Sequence, residues 1–190
     1  MMDSTVLIWD LSAIAKDAAP DLDAKTLTTL WSELSEEAPK AYHAIWTLGD
    51  SPSQAMPFLK ERLKPAEEVD AKQIKRLLTN LDSDEFTTRE AAEKELAKLG
   101  ERIHPALRKV LEGQPSEEVR RRLKAILEEP AVLSAETLRT LRAIQALERI
   151  GTDEAREVLK KLATGAEAAR ETQEAKEALA RLSRGTASSP

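Results

Sequence analysis

The sequence predicts an all-α protein, a right-handed α-solenoid of three helical repeats of roughly 51 residues with an N-terminal capping helix, preceded by one short strand-like segment. Three observations predict it. Gly49, Gly100 and Gly151 lie 51 residues apart, and each directly follows an apolar residue. The apolar positions before them recur at helical spacing. Aromatic residues are only 3% of the chain and charged residues 33%, a composition that favours helices.

The repeat is visible as columns of apolar residues at fixed distances before each glycine. Spacings of three and four residues indicate an amphipathic helix, and glycine just past the last apolar position predicts a left-handed C-terminal cap. The columns are Leu48, Leu99 and Ile150; Ile45, Leu96 and Leu147; and Ala41, Ala92 and Ala143.

Each repeat is predicted to contain three helices. The first repeat opens near Ser35, its second helix begins at Pro52, and its third helix follows Asp70. The second repeat covers 84 to about 129 and the third 134 to about 183. The third helices also align in columns, so their apolar faces keep register although the connections differ in length. These columns are Ile74, Leu123 and Ala175; Leu77, Ile126 and Ala178; and Leu78, Leu127 and Leu179.

A further helix is expected before the first repeat. Asp23 can cap a helix that runs to about Leu34, and this helix is predicted to cover the exposed end of the stack. Trp31 and Trp46 are expected to pack in the core between this helix and the first repeat. The helical repeat domain is thus predicted over 23–184, after a linker at 13–22 and before a disordered tail at 185–190.

Residues 1–12 do not follow the helical pattern. Asp3, Thr5 and the pair Trp9 and Asp10 frame a β-branched and apolar run with the composition of a strand. This stretch resembles the closing part of a WD-repeat propeller blade. Because one blade strand is not stable alone, two interpretations remain. We prefer the one in which this chain is the C-terminal piece of a larger WD-repeat protein; in the other, the strand pairs with something else.

The second repeat carries a further family resemblance. Leu81–Asp84, Thr88–Ala92 and Leu96–Gly100 together resemble a HEAT repeat, and Val119–Leu123 repeats its valine-arginine element. The resemblance implies that an arginine near the start of one helix bonds to an aspartate in its neighbour's turn. A three-helix armadillo-like unit is equally compatible, because the other two units lack the arginine at the position of Arg89.

The strand and the second repeat together resemble the helical C-terminal regions of large bacterial WD-repeat proteins, notably those of planctomycetes. This resemblance implies a multidomain protein in which the helical segment follows the propeller. It implies no known activity.

Composition and motifs argue against chemistry in this chain. Cysteine is absent, and the two histidines, His43 and His104, lack the partners of a metal site. No nucleophile elbow or phosphate-binding glycine loop is present, and the glutamate pairs are typical of helix N-termini. We therefore predict a cytoplasmic protein with no enzymatic activity, cofactor, bound metal, small-molecule substrate or membrane association. The net charge of −5 disfavours nucleic acid as a partner.

The third helices provide the candidate binding surface. Stacked repeats would align their basic residues in a stripe, which could bind an acidic peptide or the parent propeller. The alternative is a set of solvated helix faces balanced by neighbouring glutamates. The predicted function is a helical-repeat scaffold for protein-protein interaction, with a nucleic-acid-binding HEAT-like protein as the alternative. The candidate residues are Lys72, Lys75, Arg121, Lys124 and Lys176.

Overall fold

The computed structural model describes residues 22–128 and 133–186. Within these ranges the chain forms ten α-helices and one short 3-10 helix, and no strand, so the predicted all-α class is confirmed. The predicted strand at 1–12 and almost all of the linker at 13–22 lie outside the described residues.

The helices follow the predicted order, with one helix before the first predicted repeat and three α-helices in each predicted repeat. They are α1 (Ala24–Glu33), α2 (Ala38–Asp50), α3 (Pro52–Arg62), α4 (Ala71–Leu81), α5 (Phe86–Leu99), a 3-10 helix (Gly100–Ile103), α6 (His104–Glu112), α7 (Glu117–Glu128), α8 (Ala135–Ile150), α9 (Asp153–Leu162) and α10 (Arg170–Thr186). The tail is predicted to begin at residue 185, but α10 continues to Thr186. Residues 187–190 lie outside the described ranges.

Short polar side chains start the helices where the sequence predicts. Asp23 accepts a hydrogen bond from the Thr26 amide at 2.7 Å, and Asp70 accepts one from the Lys72 amide at 2.8 Å. Each bond satisfies an amide that has no partner inside its helix. Pro52 begins α3, where its missing N–H costs nothing.

Two of the three repeat glycines have the backbone that only glycine adopts easily. Gly100 has φ of +61° and Gly151 has φ of +62°, and both follow the last residue of a helix. The predicted cap at Gly49 is wrong, because α2 continues through it to Asp50. A Cβ atom at Gly49 would lie 2.4 Å from Cδ of Arg149, so the glycine makes room for that side chain.

The buried apolar side chains form two separate clusters. The first core combines α1, α2 and α3 with α8, α9 and α10. The second core contains α4, α5, α6, α7 and the 3-10 helix. The alanine column is buried in both cores. Completely buried residues include Leu48, Leu59, Ile144, Leu147 and Leu159 in the first core, and Leu81, Leu96, Ile103, Leu107 and Leu123 in the second.

The packing order differs from the predicted linear stack. In a linear solenoid the second unit separates the first from the third, but here α2 packs directly against α8, and α3 contacts α9. Both α2 and α8 bury pairs of small residues, which permits a close helix-helix approach. These are Ala41 and Ala44 on α2, and Ala143 and Ala146 on α8.

Two arginines of α8 hold the C-terminal end of α1. Arg139 donates to the Trp31 carbonyl at 3.0 Å and to Oγ of Ser35 at 2.9 Å. Arg142 donates to the carbonyls of Leu34 and Glu36, both at 2.7 Å. These carbonyls have no partner within the helix. The helix α1 is therefore part of the first core and not a cover over the end of a stack.

The second core contains a buried arginine that the sequence did not single out. Arg122 is 8% exposed and donates to Glu118 at 2.7 Å and to Glu93. Arg89, the HEAT-type arginine, donates to the carbonyls of Ser83 and Asp84 in the turn before its own helix. The expected bond from Arg89 to an aspartate of a neighbouring turn is therefore wrong.

Candidate interaction surfaces

The five predicted binding residues are all exposed, but the packing divides them between the two cores. Lys72 and Lys75 lie on α4, and Arg121 and Lys124 lie on α7; both helices contact α5 in the second core. Lys176 lies on α10, which packs on α8 and α9 in the first core. The single stripe through three stacked repeats stays a prediction from sequence.

The predicted basic residues also differ in their partners. Arg121 donates to both carboxylate oxygens of Glu118, at 2.9 and 2.7 Å. The four lysines have no carboxylate within 4.0 Å among residues 22–128 and 133–186. Arg121 is thus paired with a carboxylate, which it shares with Arg122.

An exposed aromatic pair lies on α2. Tyr42 is 61% exposed and Trp46 40% exposed, and their ring centroids are 5.5 Å apart with an angle of 42° between the planes. The residues are four positions apart, so they project from the same side of the helix. Two of the six aromatic residues of the chain thus lie together on one exposed face.

Arg149 of α8 completes this surface. Its guanidinium carbon lies 3.4 Å from the ring centroid of Trp46, and its Nη2 lies 2.7 Å from Oδ1 of Asp50. Gly49 permits this approach, since any side chain there would occupy the place of the arginine. We call Tyr42, Trp46 and Arg149 the aromatic patch.

The sequence-based expectation for the two tryptophans is half correct. Trp31 packs against the first core, with the ring of Phe58 edge-on at 6.1 Å and Arg139 over its face. Trp46 is on the surface, so its predicted core role is wrong. Both residues fall near apolar columns, and helical spacing alone does not reveal whether another helix covers each one.

A cleft of about 430 Å³ separates the two cores. The second core supplies the end of α5, the 3-10 helix, His104 and Ile126, while the first core supplies Ser134, Thr137 and the start of α10. No helix of one core packs extensively on a helix of the other within the described ranges. The residues of this cleft are far apart in sequence, which is why no sequence motif reveals it.

One ion pair crosses between the cores. Nη2 of Arg170 lies 3.0 Å from Oε1 of Glu101, and both side chains are partly exposed. The same two residues also border a second cavity of about 490 Å³. Cavities between separately packed units are common places for ligands.

His104 begins α6 and forms part of the cleft wall. Burial lowers the pKa of its imidazole, and the nearby charge of Arg108 lowers it further, against an opposing effect of Glu101. The balance of these effects favours the neutral form of the imidazole.

Comparison with protein-family models, curated proteins and solved structures finds no match to the chain. No helix within residues 22–128 or 133–186 combines the length and apolar character needed to cross a lipid bilayer. Over the same residues, no three metal-ligating side chains lie together.

Proposed function

We propose that this protein is a helical scaffold for protein-protein interaction and that the aromatic patch is its anchor. The observation that carries the proposal is the exposure of Tyr42 and Trp46 beside Arg149. Tryptophan, tyrosine and arginine are the residues most enriched among those that dominate binding energy at protein interfaces. All three occur together here, on two helices that are fixed by a shared core.

The rigidity of the patch supports this role. Asp50 and the Trp46 ring hold Arg149 in place, so these side chains lose less conformational freedom on binding than free ones would. The patch is also close to neutral, because Asp50 balances Arg149. A protein surface with an apolar anchor suits it better than the acidic peptide predicted for the lysines.

The relation to known repeats belongs to the same proposal. Three consecutive sets of three helices, with two columns that are buried in all three, favour descent from one three-helix unit of HEAT-like or armadillo-like type. These columns are Ala41, Ala92 and Ala143, and Leu77, Ile126 and Ala178. In this proposal the third unit folds back onto the first. The link to a WD-repeat propeller rests on the N-terminal strand-like segment together with the second repeat, and remains a prediction from sequence.

Site-specific photo-crosslinking tests the proposed anchor. We would place p-benzoylphenylalanine at position 42 in cells that produce the protein, and at Phe86 as the matched control. Phe86 is 60% exposed and begins α5, a helix of the second core. We expect a discrete protein adduct from position 42, and a strong reduction of this adduct when Trp46→Ala is added, because truncation of an interface anchor costs about 2 kcal/mol or more.

The control position makes the test decisive. Adducts of equal yield from positions 42 and 86 would indicate random collisions, and the patch would then have no special role. The absence of any protein adduct at position 42 would also contradict the proposal.

A further inference from the structure

The cleft between the cores has an excess of positive charge although the chain is acidic. Lys98, Arg102 and Arg170 border it, against the carboxylates of Glu101 and Glu171. The chain as a whole carries a net charge of −5. The cleft therefore has the opposite sign from the average surface, and would attract anions.

Two of these cations are available to a ligand. Within the described residues, Lys98 and Arg102 have no carboxylate within 4.0 Å, whereas Arg170 is held by Glu101. Both free side chains are exposed at the cleft edge, so they can turn toward an anion with little rearrangement. His104 also lines the cleft, and its ring N–H can donate a further hydrogen bond.

Apolar side chains also line the cleft. They are Leu99 at the end of α5, Ile126 on α7 and Leu133 before α8. A volume of about 430 Å³ is in the range of small-molecule sites. The lining therefore matches a ligand that has both an acidic group and an apolar body.

We infer that the inter-core cleft binds a small organic anion, with one acidic group at Lys98 and Arg102 and an apolar body against Leu99, Ile126 and Leu133. This site is separate from the aromatic patch and does not depend on the proposed scaffold function. It also departs from the sequence-based expectation that the protein takes no small molecule.

A pair of fluorescent probes tests this inference on the full-length protein. 1-Anilinonaphthalene-8-sulfonate carries the anionic group, and N-phenyl-1-naphthylamine has the same aromatic body without it. Both become brighter in apolar surroundings, so their dissociation constants can be compared directly. We expect the anionic probe to bind about tenfold more tightly, which corresponds to about 1.4 kcal/mol.

Substitutions test where the probes bind and which side chains attract the anionic group. The double variant Lys98→Gln/Arg102→Gln should weaken the anionic probe about tenfold and leave the neutral probe unchanged. Lys25→Gln/Lys161→Gln removes the same charge from exposed positions on α1 and α9 and should change neither constant. Thr137→Trp fills the cleft and should abolish binding of both probes, whereas Thr79→Trp on α4 should not.

Circular dichroism of each variant confirms that it is folded before its constants are used. Equal affinity for the two probes would overturn the inference. Loss of anionic-probe binding in the Lys25/Lys161 control to the same extent as in the cleft variant would also overturn it, as would full binding to Thr137→Trp.

Discussion

The two cores contain similar helices but are assembled from the chain in different ways. The second core is made from one continuous stretch, from Val69 to Leu127. The first core joins two stretches that the second core separates, and its arginine bonds connect residues as far as 108 positions apart, as between Arg139 and Trp31. The corresponding arginine bond in the second core, from Arg122 to Glu93, spans 29 positions.

The same kind of helix is therefore stabilised by local contacts in the second core and by long-range contacts in the first. Long-range contacts form only after a large loop has closed, so the first core depends more on specific ties between its halves. Arg139, Arg142 and Arg149 of α8 provide three such ties to α1 and α2. The second core can form from neighbouring helices before the chain ends meet.

The largest expected effect comes from truncation in the first core. Leu147 is completely buried there, and Leu147→Ala should lower the free energy of unfolding by about 3 kcal/mol. Urea denaturation followed by tryptophan fluorescence measures this effect, because Trp31 and Trp46 both lie on helices of the first core. A loss below about 1 kcal/mol would show that Leu147 does not hold the two halves together.

A smaller effect is expected where α8 holds α1. Arg142→Ala removes a charged donor from the Leu34 and Glu36 carbonyls and should cost about 1.5 kcal/mol. Arg108→Ala is the control, since Arg108 is an exposed arginine on α6 of the second core. Equal midpoints for the two variants in thermal unfolding would remove Arg142 as a tie of the first core.

The next smaller effects on stability are expected at two of the repeat glycines, Gly100 in the second core and Gly49 in the first. Gly100 has positive φ and open space around its Cβ position, so Gly100→Ala should cost about 1 kcal/mol through the backbone alone.

Gly49→Ala should gain helix propensity and lose room for Arg149. In an Arg149→Ala background, Gly49→Ala should therefore be stabilising by about 1 kcal/mol, and less favourable in the wild type. The same denaturation measurements test both; additive effects of Gly49→Ala and Arg149→Ala would contradict the proposed contact.

The smallest expected effect is on the pH dependence of the stability of the second core. The hydrogen bond from Arg122 lowers the pKa of Glu118 from its ordinary value of 4.5, with further lowering by Arg121. Because the folded pKa is the lower one, this stabilisation is present above the unfolded pKa and is lost as the pH falls through the folded pKa. The free energy of unfolding of Glu118→Gln, measured in urea, should therefore change less between pH 7 and pH 3 than that of the wild type. Identical pH dependence would exclude Glu118 as a contributor.

The sequence predicted the local structure well and the long-range structure poorly. Asp23, Asp70 and Pro52 start their helices as expected, since caps act within one turn. The column of Ala41, Ala92 and Ala143 is buried, but an apolar face does not specify which helix covers it. The pairing of α2 with α8 was therefore not predictable from periodicity.

The candidate sites were harder to predict for the same reason. Gly49 has the sequence pattern of a cap, yet its role depends on Arg149, 100 residues away. Trp46 falls in a helical pattern that also suits a buried residue. The ion pair of Glu101 with Arg170 exists only because the two cores meet there.

Native-state hydrogen exchange of Leu123→Ala tests most directly whether the two cores are stabilised separately. Leu123 is completely buried in the second core. We expect faster amide exchange in α4, α5, α6 and α7, with unchanged protection in α2, α8 and α9. An equal loss of protection in all these helices would contradict this expectation, because the helices would then form a single cooperative core.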